Sequence, residues 1–328
     1  MKHLADIVEG FSRKRLVVVG DVIADQFIYG EISRVSREAP VFILRHEHTE
    51  TTPGGAGNCA ANLASLGAEV SLVSFVGDDE PGRMLLQRLR DSGVDSDSVF
   101  VANDFRTTTK VRILAGQIHS TRQQVIRIDY DGAPELSSKL KEELRAAVTK
   151  KVADADAVII SDYNYGVAAP EIGAVVREAI LARKIPVLVD SRFRLSQFPG
   201  FTSATPNEDE VEELLGAEYA DESALALTAE ELRQQLGYQA LLVTRGGNGM
   251  TLVEARSTPL HIEAVGSRQP VDVTGAGDTV IATYALALAS GASFPDAARL
   301  ANLAGGIVVM KRGTATVSKD ELLVSIAK

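Results

Sequence analysis

The sequence predicts an α/β protein: one doubly wound, mainly parallel sheet with helices on both faces and a small β-sheet lid. Three observations predict it. Short apolar runs ending in Gly or Asp alternate with helix-length segments along the chain. Two polar, β-branched stretches, near 27–49 and 107–130, interrupt that alternation and fit solvent-facing strands. Hydrophobic residues make up 45% of 328, enough for a large core, here taken as a single domain over 1–328.

The elements follow in order. Leu16–Val19 is a buried strand ending at Gly20-Asp21. The first polar stretch carries Arg34, Arg37, Pro40 and Arg45. Pro53-Gly54-Gly55-Ala56-Gly57-Asn58 then opens a helical run stopped by Gly67. Val70–Val76 is a strand, and Pro81–Arg90 a helix stopped by Gly93. The second polar stretch has Gly116 near a hairpin turn. Residues 135–152 form an amphipathic helix, Ala157–Ile160 a strand ending at Ser161-Asp162, Pro170–Arg183 a helix, and Pro186–Val189 a strand ending at Asp190. Thr228-Ala229-Glu230-Glu231 reads as a capping box. Ala240–Val243 leads through a glycine hairpin to Met250–Val253, and Pro295–Met310 is the helix after the last glycine turn.

Composition excludes several functions. A formal net charge of -10 argues against a nucleic-acid groove. The single cysteine, Cys59, cannot form an internal disulfide. No apolar run approaches the roughly 18 residues of a membrane span. With no charged-then-apolar leader, a cytoplasmic location is expected.

The stretch VDVTGAGDTVIATYALALAS, 271–290, carries most of the chemistry. Gly275-Ala276-Gly277 makes a tight turn into an apolar helix, and free N–H groups there form an anion site. Asp278 is read either as the helix N-cap or as a catalytic carboxylate. Asp21 and Asp25 follow the first strand, where open α/β sheets bind ligands; solvated turn carboxylates are the plain alternative. Asn58 is otherwise a first-turn helix residue bonding its own backbone. Gly55–Ala60 formally matches a dinucleotide fingerprint, but Pro53 and the three polar residues before it do not supply the required strand. No G-x-x-x-x-G-K-[ST] loop is present.

Asp272-Val273-Thr274-Gly275-Ala276-Gly277-Asp278-Thr279, with Gly54-Gly55 and Asn58, resembles the two signatures of the ribokinase (PfkB) family of sugar kinases. The resemblance runs from Gly20 to Val317. It implies an ATP-dependent kinase in which Asp278 is the general base and Gly275, Ala276 and Gly277 stabilise charge on the transferred phosphoryl group. It implies sugar contacts from Asp21, Asp25, Gly54, Gly55, Asn58 and Asp162. Asn207 and Glu210 match the family's N-x-x-E motif, which organises Mg²⁺ and its waters; an acidic first helical turn would explain them otherwise. Thr244, Gly246 and Gly249 match the loop near the nucleotide phosphates, and Asn302 the adenine pocket. Asp272 and Thr274 would lie near a monovalent cation such as K⁺.

Within the family the likeness is greatest to bacterial heptose 7-phosphate kinases. Ser33–Pro40, Thr109–Arg112, Gln123–Asp129 and Gly313–Val317 carry it. It implies phosphorylation of O1 of D-glycero-β-D-manno-heptose 7-phosphate, and a homodimer formed through the lid. Lys110, Arg112 and Arg127 would hold the substrate phosphate, unless they only blunt sheet edges. Those kinases typically have Asp-Pro-Lys-Gly where this chain has Asp190-Ser191-Arg192-Phe193. A chain of 328 residues leaves no room for the nucleotidyltransferase half of bifunctional members, which a separate enzyme would supply. A kinase for another phosphosugar such as fructose 6-phosphate, a sugar sensor without turnover, and a nucleotide-cofactor oxidoreductase remain alternatives.

Overall fold

The computed structural model describes residues 2–116, 122–131, 136–216, 222–266 and 269–327. The chain opens with α1 (Lys2–Glu9), β1 (Arg15–Gly20), β2 (Val22–Val35), β3 (Phe42–Gly55) and α2 (Ala56–Ser65). It continues through β4 (Glu69–Gly77), α3 (Glu80–Asp91), β5 (Asp95–Ala102), β6 (Thr109–Gly116), β7 (Gln123–Tyr130) and α4 (Ser138–Val152). Then come β8 (Ala157–Asp162), α5 (Pro170–Ala179), β9 (Val187–Ser191), β10 (Ser203–Ala204), α6 (Glu208–Leu215) and α7 (Glu222–Leu236). The chain closes with β11 (Ala240–Thr244), β12 (Met250–Glu254), β13 (Leu260–Ile262), α8 (Ala276–Ala289), α9 (Phe294–Val308) and α10 (Lys319–Ile326).

Nine strands form one sheet in the order β13-β12-β11-β10-β9-β8-β1-β4-β5. Every neighbouring pair from β11 to β5 is parallel, and β12 and β13 extend one edge antiparallel. The apolar runs explain why. Successive side chains on a strand face opposite ways. Leu16 and Val18 of β1 enter one core with α2, α8 and α9; Val17 and Val19 enter another with α4, α5 and α7. Ala157 and Ile159 of β8 join the first core, and Val158 and Ile160 the second. A sheet covered on both faces needs such unbroken apolar strands, and the expected doubly wound architecture is the one observed. No helix among the described residues is long and apolar enough to cross a membrane.

A second sheet has four strands in the order β3-β2-β6-β7. Its central pair, β2 and β6, is parallel, and the outer pairs are antiparallel. Paired residues share a face, so Asp25, Lys110 and Asp129 lie side by side, with Phe27, Arg112 and Arg127 in the next row. The turn expected after Gly116 lies outside the described residues.

Four local expectations need correction. Strand β3 runs through Thr51, Thr52 and Pro53 into Gly55, so a strand does precede α2. It is the edge of the small sheet, where Pro is tolerated, and not a parallel strand of a βαβ unit. Thr228 caps nothing: it sits inside α7 and its hydroxyl donates to Ala224 O at 2.9 Å. Helix α5 stops at Ala179 rather than Arg183. Strand β5, with the sequence DSDSVFVA, is too polar at its start to read as apolar and was not anticipated.

Candidate active site

Strands β1, β8 and β9 are neighbours, and Asp21, Asp162 and Asp190 stand at their C-terminal ends. This is the rim where open α/β sheets bind ligands. The three carboxylates do different work. Asp21 is 1% exposed and accepts three backbone N–H groups: Tyr163 at 2.8 Å, Tyr165 at 3.0 Å and Val167 at 2.8 Å. Asp162 is enclosed by Ser191 Oγ at 2.6 Å, Asn164 N at 3.0 Å and the guanidinium of Arg194. Both were expected to hold substrate hydroxyls. In the structure Asp21 braces the loop after β8, and Asp162 ties the start of that loop to Ser191 and Arg194 at the end of β9, because a buried carboxylate needs such partners.

Asp278 lies where that loop meets α8. The helix starts at Ala276, with Gly275 as its N-cap in the left-handed conformation (φ 75°). Asp278 is therefore the third helical residue and not the N-cap. Its side chain is 4% exposed. Oδ2 accepts from Asn58 Nδ2 at 2.8 Å, and Oδ1 accepts from the Tyr163 hydroxyl at 2.8 Å. Burial pushes the carboxyl up to about 6, while the bonds from Asn58 and Tyr163 pull it back down.

Asn58 was expected to face the sugar. The structure turns its amide onto Asp278 and onto Gly275 O at 3.2 Å. Asn62, one helical turn later, donates to Asn58 Oδ1 at 3.1 Å and fixes the amide's orientation. Tyr163 and Asn62 were missed. Tyr163 had one available signal: it follows an apolar strand directly at the rim. Asn62 had another, its i+4 spacing from Asn58 on one helix face.

The small sheet closes one side. Asp25 is 4% exposed and paired with Arg112. Gly54 leaves space for Asp25 Oδ2; a Cβ there would collide with it. Gly55 precedes α2 at φ 58°. Lys110 is 8% exposed, with its ammonium 5.8 Å from the Tyr163 ring centroid. Burial lowers its pKa, while Asp25 opposes that. Arg127 forms a two-pronged pair with Asp129, at 2.7 and 2.6 Å. The expected cations thus share one face with Asp25.

The opposite side is built differently. A cavity of about 320 Å³ is walled by Thr244, Gly246, Gly249, Val280, Asn302 and Gly305, among others. Asn302 Nδ2 donates to Glu263 O at 2.7 Å. Gly306 sits so close to Val265 O that a Cβ could not fit. A second cavity, about 240 Å³, is lined by Tyr163, Asp190, Arg192, Asn207 and Glu210, and shares Thr244 and Gly277 with the first. Added bulk at Gly277 would meet nothing within 4 Å, so open space lies before it. Ala276 N–H is taken by Val273 O at 3.2 Å, so it is not free for an anion. Asn207 and Glu210 form a reciprocal capping box on α6, at 2.8 and 2.9 Å, which uses one Glu210 oxygen. Among the described residues no group of three or more His, Cys, Asp or Glu is arranged to hold a metal ion. Asp272 accepts from Thr274 N and Gly313 N, each at 2.9 Å, closing the loop before α8.

A two-sided cleft with a buried carboxylate at its centre, on a doubly wound sheet, is the build of a group-transfer enzyme. The chain matches the pfkB family carbohydrate kinase over residues 13–321, and it belongs to that family. It is 42% identical over 325 residues to the bifunctional protein HldE of Caulobacter vibrioides, covering 97% of this chain and 65% of that protein. The HldE of Pelobacter propionicus is 36% identical over 327 residues, covering 99% of this chain and 66% of that protein. The chain thus spans about two thirds, or slightly less, of these relatives. Among solved structures, Escherichia coli phosphofructokinase-2 with potassium superposes at a TM-score of 0.78 with 20% identity, over 96% of this chain and 98% of that one. Arabidopsis thaliana ribokinase with ribose and ATP gives 0.74 and 24%, over 95% and 98%. At these identities the structural likeness speaks to fold.

Proposed function

We propose that the chain transfers the γ-phosphoryl group of ATP to O1 of D-glycero-β-D-manno-heptose 7-phosphate, giving the 1,7-bisphosphate. The observation that carries the mechanism is the setting of Asp278: a buried carboxylate, raised to about 6 and held by two donors at a helix start. It takes the proton of the attacking hydroxyl as the O–P bond forms. Gly275, Ala276 and Gly277 shape the turn that receives the phosphoryl oxygens, with Gly277 at the open wall. Asp25 and the Gly54-Gly55 backbone hold sugar hydroxyls; Asp21 and Asp162 act through the loop they brace. Lys110, Arg112 and Arg127 take the 7-phosphate.

The two joined cavities suit ATP, with the base beside Asn302 and the phosphates near Thr244, Gly246 and Gly249. The free Glu210 oxygen and the Asn207 amide fit a Mg²⁺ ion held chiefly by phosphates and water. Such an ion would neutralise phosphate charge. A monovalent cation beside Asp272 and Thr274 would stabilise the loop they close, and activity in K⁺ against Na⁺ checks this. Exposed Phe42, Ile126 and Ile128 on the small sheet, with Val41 just before β3, support a homodimer through that lid; light scattering tests it. The heptose assignment is supported by the lid and tail stretches and by the HldE relatives. An ATP-depletion screen over heptose 7-phosphate, fructose 6-phosphate and other sugar phosphates, with phosphorus NMR of the product, tests the whole reading. Turnover confined to a different sugar would replace the substrate.

A further inference from the structure

We infer that Arg192 is a catalytic residue, one that stabilises charge on the transferring phosphoryl group. The inference rests on the kinase reading above. Arg192 follows β9, and its backbone N–H is fixed by Asp162 O at 3.1 Å. Among the described residues lining the two joined cavities, it is the one Lys or Arg. It shares the smaller cavity with Gly277, Asn207, Glu210 and Tyr163, whose hydroxyl donates to Asp278. Its charge acts in both directions across the cleft: on Glu210 at the nucleotide side, and on Lys110 and Tyr165 at the acceptor side. Of the other cations near the centre, Arg194 is paired with Asp162 and Arg112 with Asp25, while Lys110 lies on the small sheet beside Asp25. Arg192 has no carboxylate partner among the described residues; its guanidinium rests 5.4 Å from the Phe193 ring centroid.

In a protein of net charge -10, a triphosphate entering this cavity meets carboxyl groups at Asp190 and Glu210, and Arg192 is the one Lys or Arg among the described residues lining it. A cation is needed there, and most of all at the transition state. As the acceptor oxygen bonds to phosphorus, its proton passes to Asp278. The bond from phosphorus to the β,γ-bridging oxygen breaks, and its electron pair leaves with ADP. Charge spreads over the three equatorial oxygens and the leaving oxygen. A planar guanidinium spans two of those oxygens, whereas an ammonium meets one at a time. This explains why arginine at this position suits the chemistry, and why it can be exposed and free of any ion pair before nucleotide arrives.

The test compares wild type with Arg192→Ala and Arg192→Lys. Heptose 7-phosphate and fructose 6-phosphate serve as acceptors, and Asp278→Asn as a control. Because Arg192 has no carboxylate partner, both variants should fold with wild-type melting temperature. Arg192→Ala should lower kcat by roughly 10²–10³-fold, the loss expected from one transition-state donor, with Arg192→Lys between. The second readout is binding, by calorimetry. Adding aluminium fluoride and acceptor should tighten MgADP binding to wild type, and this gain should vanish in Arg192→Ala while MgADP alone binds as before. A kcat within a few-fold of wild type, with the aluminium fluoride gain retained, overturns the assignment. So does equal loss of plain MgADP affinity, which would make Arg192 a nucleotide clamp. So does a loss confined to KM for phosphorylated acceptors, which would place it on the substrate phosphate. A wild type that turns over neither acceptor sinks the substrate reading and this proposal together. An active wild type with an indifferent Arg192→Ala sinks only this proposal.

Discussion

The two sides of the cleft are built from different materials. On the side proposed for the acceptor, buried polar side chains hold one another: Asp278 with Asn58 and Tyr163, Asp162 with Ser191 and Arg194, Asp25 with Arg112. On the side proposed for the nucleotide the wall is mostly glycine backbone and apolar side chains, with Asn302 and Thr244 as its polar points. One side depends on which functional groups are present, the other on how little bulk is present. Substitutions that alter chemistry without altering shape should therefore hurt the first side, and added methyl groups should hurt the second.

The largest expected effect is at Asp278. Asp278→Asn keeps the shape and removes the proton acceptor, so kcat should fall by roughly 10²–10⁴-fold, with nucleotide affinity kept. Near-wild-type turnover in a folded variant would break the contrast at its centre. Next is Gly277→Ala on the other side. The added methyl meets no protein atom and alanine favours a helix, so thermal stability should hold or rise. It projects into the shared cavity, and kcat/KM for ATP should fall by about tenfold or more, the scale of one charge-assisted hydrogen bond. Unchanged ATP kinetics would show that shape does not govern that wall. Arg127→Ala should weaken phosphorylated acceptors by about 1.5–3 kcal/mol at most, and unphosphorylated analogues little. Arg127 is also paired with Asp129, so the lower end is expected. Equal losses for both acceptors would leave it a purely structural lid residue.

The pH dependence sharpens the same contrast. Turnover should decline as pH falls through about 6, where Asp278 takes up its proton. Stability should move the other way. A carboxyl whose folded pKa is raised above 3.8 favours the folded state fully below that value, and this contribution is lost as pH rises through about 6. The loss is at most roughly 3 kcal/mol. Asp278→Asn should therefore gain melting temperature over wild type at about pH 8 and not at about pH 4. An equal difference at both would mean the buried charge costs nothing. The smallest effect is at Glu210→Gln: glutamine preserves the capping box, so stability should hold while more Mg²⁺ is needed for half-maximal rate. An unchanged Mg²⁺ titration would take Glu210 out of that role.

The sheet was readable because its signal is local. An apolar run such as Leu16–Val19 or Ala157–Ile160 announces a strand covered on both faces without reference to anything distant. The last glycine turn was readable for the same reason, since Gly275 and the helix after it are contiguous. What could not be read was which way a polar side chain turns. Asp21, Asp162 and Asn58 look alike in sequence as rim polar groups, yet their partners lie far along the chain, at Val167, Arg194 and Asp278. The helix start lies earlier than an N-cap at Asp278 would place it, at Ala276, because glycine at the N-cap removes the usual side-chain marker. Strand β5 was missed since its first residues bind charge: Asp95 accepts from Ser71 and Lys151.

The carboxylate of Asp278 has a history as well as a geometry. Its two donors are 220 and 115 positions earlier in the chain. Contacts at such separation form late, after the loops between them have closed. Until both are made, Asp278 is an ordinary solvated carboxylate on a frayed helix end. A chain still emerging from synthesis, or one opened by partial unfolding, therefore has no tuned base. With Asp278 as the proposed base, phosphoryl transfer would be withheld from every state in which those two hydrogen bonds are unmade.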